Sequence, residues 1–137
     1  MIVLDASVLI GHFEPADAHH ADATALLRAH SSELFAASVI TLAEVYAGAA
    51  RAGRADRLRR LLAQLQIDSL GLPAGAALRL GELRAITALK MPDCCVLYTA
   101  EQHNAAVATF DDKLAARAAD LGLVVASREP SKMPCCR

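Results

Sequence analysis

Met1-Ile2-Val3-Leu4-Asp5-Ala6-Ser7-Val8-Leu9-Ile10 carries the clearest architectural signal in the chain. Ile2 to Leu4 is apolar without period-two alternation, the pattern of a strand buried on both faces. An acid closes the run, and residues 6–13 then read as a helix. The same figure returns along the chain. Residues 34–37, 105–108 and 123–126 are further short apolar runs, and Ile67 to Leu70 reads as another strand. Helix-like stretches separate them at residues 17–30, 38–51, 55–65, 76–89, 93–103 and 112–121, with Ser38 placed to cap the second of these. Gly53, Gly71-Leu72-Pro73 and Met91-Pro92 read as breaks. Strands alternating with helices predict an α/β fold, a five-stranded parallel sheet flanked by helices on both faces.

Four acids stand out against this background. Asp5 ends the first apolar run, Glu44 is the only charge between Leu34 and Ala50, and Asp93 is the only charge between Met91 and Ala100. Asp111 follows Val107-Ala108-Thr109-Phe110 and is joined by Asp112. A buried carboxylate is costly unless it is paired, neutralised or bound to a metal. No Lys or Arg lies within the first three runs. If the fold gathers these acids, a divalent cation held by oxygen ligands is the economical explanation. Asp5 and Asp111 follow strands, which is where parallel sheets collect functional groups.

Composition narrows the class. The chain has 137 residues, 55% hydrophobic and 21% charged, enough for one globular domain with a sizeable core. That domain is expected over residues 1–128, with a Pro-containing tail at 129–137. A net charge of −1 provides no global attraction for nucleic acid, so any such binding needs a local patch. The longest weakly charged stretch, residues 34–50, is Ala-rich and carries Glu44, which argues against a membrane span. The N-terminus lacks a basic region and cleavage site, so a cytoplasmic protein is expected. The cysteines form two adjacent pairs, Cys94-Cys95 and Cys135-Cys136. Zinc sites space their cysteines more widely, so free thiols are expected.

The acids sit in motifs that carry a family resemblance. Ile2-Val3-Leu4-Asp5-Ala6-Ser7-Val8-Leu9-Ile10 resembles the opening motif of PIN-domain nucleases. Ser38-Val39-Ile40-Thr41-Leu42-Ala43-Glu44-Val45 resembles their second acidic motif, Pro92-Asp93-Cys94-Cys95-Val96-Leu97 stands in the place of the third, and Ala108-Thr109-Phe110-Asp111 resembles the fourth. An Asp after an apolar run is common, so each motif alone is weak. Their order, spacing and total length together are similar to the VapC group of toxin–antitoxin ribonucleases. The resemblance implies a metal-dependent endoribonuclease using Mg²⁺ or Mn²⁺, a homodimer, and an inhibitory antitoxin partner. It implies Asp5, Glu44, Asp93 and Asp111 as catalytic metal ligands, Asp5 and Asp93 expected to bind directly and Glu44 and Asp111 directly or through water. Ser7, Thr109 and Asp112 stand beside them as supporting groups. The cysteines after Asp93 depart from the small or aliphatic residues usual in the family.

Each feature also has a plainer reading. Asp5, Asp93 and Asp111 or Asp112 could cap helices. Thr41 and Glu44 have capping-box spacing, although Thr41 already lies inside its helix. Arg51, Arg54, Arg57, Arg59 and Arg60 could meet RNA phosphates or an acidic partner, or form a solvated face. His19 and His20 are adjacent and point about 100° apart on a helix, so a surface role is expected. Other function classes remain open. A receiver-type phosphoacceptor would want an acidic pair near the N-terminus, where Asp5 stands alone. A dehalogenase-like enzyme would want an acid at position 7, which is Ser. A non-catalytic binding module would not need four acids.

Overall fold

A computed structural model of the chain describes residues 1–126. The expected tail at 129–137, with Cys135 and Cys136, lies outside the described residues. The elements run β1 (Ile2–Leu4), α1 (Ala6–Phe13), α2 (His20–Ala29), β2 (Phe35–Ser38), α3 (Val39–Arg51), α4 (Ala55–Gln64), β3 (Asp68–Leu70), α5 (Ala76–Thr87), α6 (Met91–His103), β4 (Ala106–Ala108) and α7 (Asp112–Asp120). All strand pairs are parallel, in the order β3-β2-β1-β4.

Side-chain alternation splits the core in two. Ile2 and Leu4 of β1, with Phe35 and Ala37 of β2, pack against apolar residues of α1 to α4, among them Val8, Leu26, Leu42 and Leu58. Val3 and Val107 face the other way and pack with Leu83, Leu97 and Leu114 from α5, α6 and α7. A strand buried on both sides has no polar face to show, which is why β1 is apolar throughout. The amphipathic α4 buries Leu58 and Leu62 while its arginines stay outside.

The expected fifth strand is corrected to a single bridge. Val125 pairs in parallel with Val107, with bonds of 2.8 Å from Val107 N–H to the Val124 carbonyl and from Ala126 N–H to the Val107 carbonyl. Gly122, at φ +80°, ends α7 and turns the chain to this edge. Val124 is 65% exposed, so hydrophobicity alone overstates the strand. The sheet among the described residues therefore has four strands.

Met91-Pro92 does not break a helix but begins one. Proline is tolerated in the first turn, where its missing N–H has no partner to lose. This places Asp93 in the first turn of α6. Among the described residues, no helix is long and apolar enough to cross a membrane.

Candidate functional site

In a parallel sheet, ligands gather beyond the carboxyl ends of the strands where the strand order reverses. That point lies between β1 and β4: the chain steps outward from β1 to β2 and β3, then returns to β1's other side. Asp5 follows β1, while Thr109 and Asp111 follow β4. The two ends are tied directly, Asp5 N–H donating to the Ala108 carbonyl at 2.9 Å.

Asp5 is 7% exposed. It holds the N-cap position of α1, but its side chain makes no cap bond. Its Oδ2 instead accepts from Ser7 Oγ at 2.9 Å and Thr109 Oγ1 at 2.7 Å. Both hydroxyls also accept backbone N–H groups from the β4–α7 turn, from Phe110 at 3.0 Å and Asp111 at 3.0 Å respectively. A hydroxyl that accepts from an amide keeps its own proton for the acid. The turn thus orients two O–H donors, one from α1 and one from the end of β4, at the buried carboxylate.

Asp93 reaches the same place from α6. The turn before it is locked by Thr87, whose Oγ1 donates to the Leu83 carbonyl (2.7 Å) and accepts from Leu89 N–H (3.2 Å). Arg84 Nη1 donates to the Leu89 carbonyl at 2.8 Å. Ala88 takes the left-handed conformation at φ +59°. Although Asp93 sits at the positive end of a helix, its pKa is pushed up from 3.8 to about 6. Burial contributes most; then come the charges of Asp5, Asp111 and Glu44, and Lys90 opposes them. The charges that reach Asp93 on α6 thus come from the residue after β1, from α3 and from the β4–α7 turn.

The four acids are not alike. Glu44 and Asp111 are exposed, so the expectation of acids surrounded by apolar side chains holds for Asp5 and not for these two. The apolar neighbours of Glu44 in sequence lie on the other face of α3, where Leu42, Val45 and Ala49 are buried. Asp111 is a helix cap: its Oδ1 accepts from Lys113 N–H (2.9 Å) and Leu114 N–H (3.1 Å) of α7. Asp112 is exposed and is not among the charges that shift Asp93. Among the described residues, no three His, Cys, Asp or Glu side chains close around one point as they stand. The donor set is nevertheless all oxygen, the chemistry of a hard divalent cation.

Other candidates take different roles. Cys94 and Cys95 are buried free thiols, and burial pushes both pKa values up. Arg54 pairs with Glu14 and lies 5.1 Å over the Phe13 ring; Arg57 lies 5.5 Å from the same ring. Arg59 pairs with Asp56 at 2.9 Å, while Arg51 and Arg60 are exposed. The two adjacent histidines diverge. The His20 Nδ1 lies 2.9 Å from the Gly11 carbonyl, whereas the exposed His19 ring stacks on Phe110. Sequence reasoning overlooks Lys90 beside the acids and the His19–Phe110 pair.

The PIN domain family matches residues 2–120, which is most of the chain. The chain belongs to the PIN domain family. No curated protein matches it significantly. Among solved structures, this PIN domain is similar to a chain of a toxin–antitoxin complex from Klebsiella pneumoniae, at 25% identity and TM-score 0.74, covering 96% of this chain and 100% of that one. It also resembles VapC20 of Mycobacterium tuberculosis, described as a toxin that cleaves the sarcin–ricin loop, at 16% identity and TM-score 0.70, covering 85% and 94%. VapBC-1 from nontypeable Haemophilus influenzae aligns at 20% identity and TM-score 0.69, covering 93% and 98%. Family membership sets aside the receiver and dehalogenase-like readings.

Proposed function

We propose that this PIN domain is a divalent-metal-dependent endoribonuclease and the toxin of a toxin–antitoxin pair. The observation that carries the reading is the field at Asp93, where Asp5, Glu44 and Asp111 act together at the switch point of a parallel sheet. The 25% identical neighbour, matched over its full length, comes from a toxin–antitoxin complex and supports the partner assignment.

Asp5 and Asp93 are the direct ligands in this proposal. Glu44 and Asp111 complete the set directly or through water, both from exposed positions. Mg²⁺ or Mn²⁺ bound there would lower the pKa of its water and offset charge on the scissile phosphate. Ser7 and Thr109 position Asp5 by holding one of its oxygens, so its second oxygen can face the cation. Asp111 keeps its cap while offering its other oxygen. Arg51 is an exposed candidate for RNA or antitoxin contact, whereas Arg54 is already committed to Glu14. A homodimer and cytoplasmic action belong to the same proposal.

The test is cleavage of total cellular RNA by purified chain freed of its partner. Mg²⁺ or Mn²⁺ should support cutting and EDTA should abolish it. Asp5→Asn and Asp93→Asn should remove activity while the fold persists. Absence of cleavage under every divalent ion would make the chain a non-catalytic PIN-fold binding module.

A further inference from the structure

His19 occupies the N-cap position of α2, where Ser, Thr, Asp or Asn would satisfy a free amide. Its side chain makes no cap bond. A local rule broken at an exposed position calls for another explanation. The backbone of His19 is held on several sides. Its N–H donates to Asp17 Oδ1 at 2.8 Å, and its carbonyl accepts from Ala23 N–H at 2.8 Å. Gly11 presses against it: a Cβ there would lie 3.3 Å from His19 Cβ and 3.4 Å from its carbonyl oxygen.

That fixed backbone presents the ring flat on Phe110, with centroids 4.7 Å apart and planes 10° from parallel. Phe110 is half-buried and packs against the first core cluster. Its N–H donates to Ser7 Oγ, which donates to Asp5, and its chain neighbour is Asp111. A rigid series therefore runs from the buried acid through Ser7 and Phe110 to an exposed aromatic ring. The chain's net charge is −1 and the site is acidic, so electrostatics alone does not draw RNA there. Stacking needs no charge and tolerates any base.

We infer that His19, backed by Phe110, is a stacking platform for an unpaired base of single-stranded RNA beside the acidic site. This rests on the endoribonuclease reading and adds a substrate-positioning residue to it.

The experiment compares His19→Ala and His19→Phe in the full chain. Cleavage of a short single-stranded RNA of mixed sequence should show KM raised about tenfold in His19→Ala, with kcat changed by less than about twofold, since stacking by one aromatic contributes on that order. His19→Phe keeps a flat ring and should restore KM. In an Asp5→Asn background, which cannot cleave, the same RNA carrying 2-aminopurine should lose base-stacking quenching on His19→Ala and regain it on His19→Phe. A purely structural His19 would lower the melting temperature of His19→Ala while leaving quenching intact, and that result overturns the inference. Equal KM and quenching in both variants and the parent overturn it too. If the wild type cuts no RNA and the Asp5→Asn background binds none, the endoribonuclease reading fails and takes the inference with it.

Discussion

Asp93→Asn should make the metal-free protein more stable, although it removes a residue assigned to the active site. Asp93 has its pKa pushed up from 3.8 to about 6, first by burial and then by Asp5, Asp111 and Glu44. A tenfold change in proton affinity is worth about 1.4 kcal/mol, so keeping Asp93 charged costs the folded state roughly 3 kcal/mol as an upper bound. The side chain is half-buried, and solvent screening brings the expected gain on removing the charge to about 1–3 kcal/mol. A folded-state pKa above the unfolded one means the native protein holds the proton more tightly. For an acid this makes stability fall as pH rises from about 4 to about 6, with the full penalty above that window. For a domain of this size the gain amounts to about 4–12 °C in melting temperature. The assay is thermal unfolding in EDTA across pH 4 to 8. Wild type should lose stability through the window relative to Asp93→Asn, and the variant should melt higher at pH 7.5. If the variant melts lower than wild type there, or shares its pH slope, the folded protein does not hold Asp93 at a raised pKa.

Asp111 separates capping from site chemistry. Asp111→Asn keeps a good N-cap for α7 and should leave melting within about 0.5 kcal/mol of wild type, whereas Asp111→Ala should lose about 0.5–2 kcal/mol; both should lose RNA cleavage, read in the same preparations. Thr109→Val removes the 2.7 Å donor to Asp5 and the 3.0 Å acceptor for Asp111 N–H. It should cost about 1–3 kcal/mol in denaturant unfolding, and Thr109→Ser should recover most of it.

The sequence reveals residues best where local pattern and tertiary role coincide. Asp5 and Asp111 end apolar runs, and the structure puts both beyond the carboxyl ends of strands, β1 and β4 respectively. Glu44 stands out by its isolation among apolar residues, but its exposure depends on which face α3 turns to the core, and Leu42, Val45 and Ala49 take that face. The helix around Asp93 is legible, though Pro92 reads as a break when it is part of the first turn. Apolar residues 123–126 suggest a strand. Strand formation needs several residues in register, and only Val125 pairs. The His19–Phe110 stack joins residues far apart in the chain, and neither carries a signal that names the other.

Direct Mn²⁺ binding asks whether these four acids form one cation site. Free Mn²⁺ can be followed by its paramagnetic resonance as it is titrated into the metal-free protein at pH 7.5. Wild type should take up the ion in a saturable step, with stability rising by mass action, about 2.7 kcal/mol at one hundred times the dissociation constant. Asp5→Asn and Asp93→Asn should each abolish the step. No saturable uptake by wild type, or unchanged uptake in both variants, would mean that the acids do not hold a common ion.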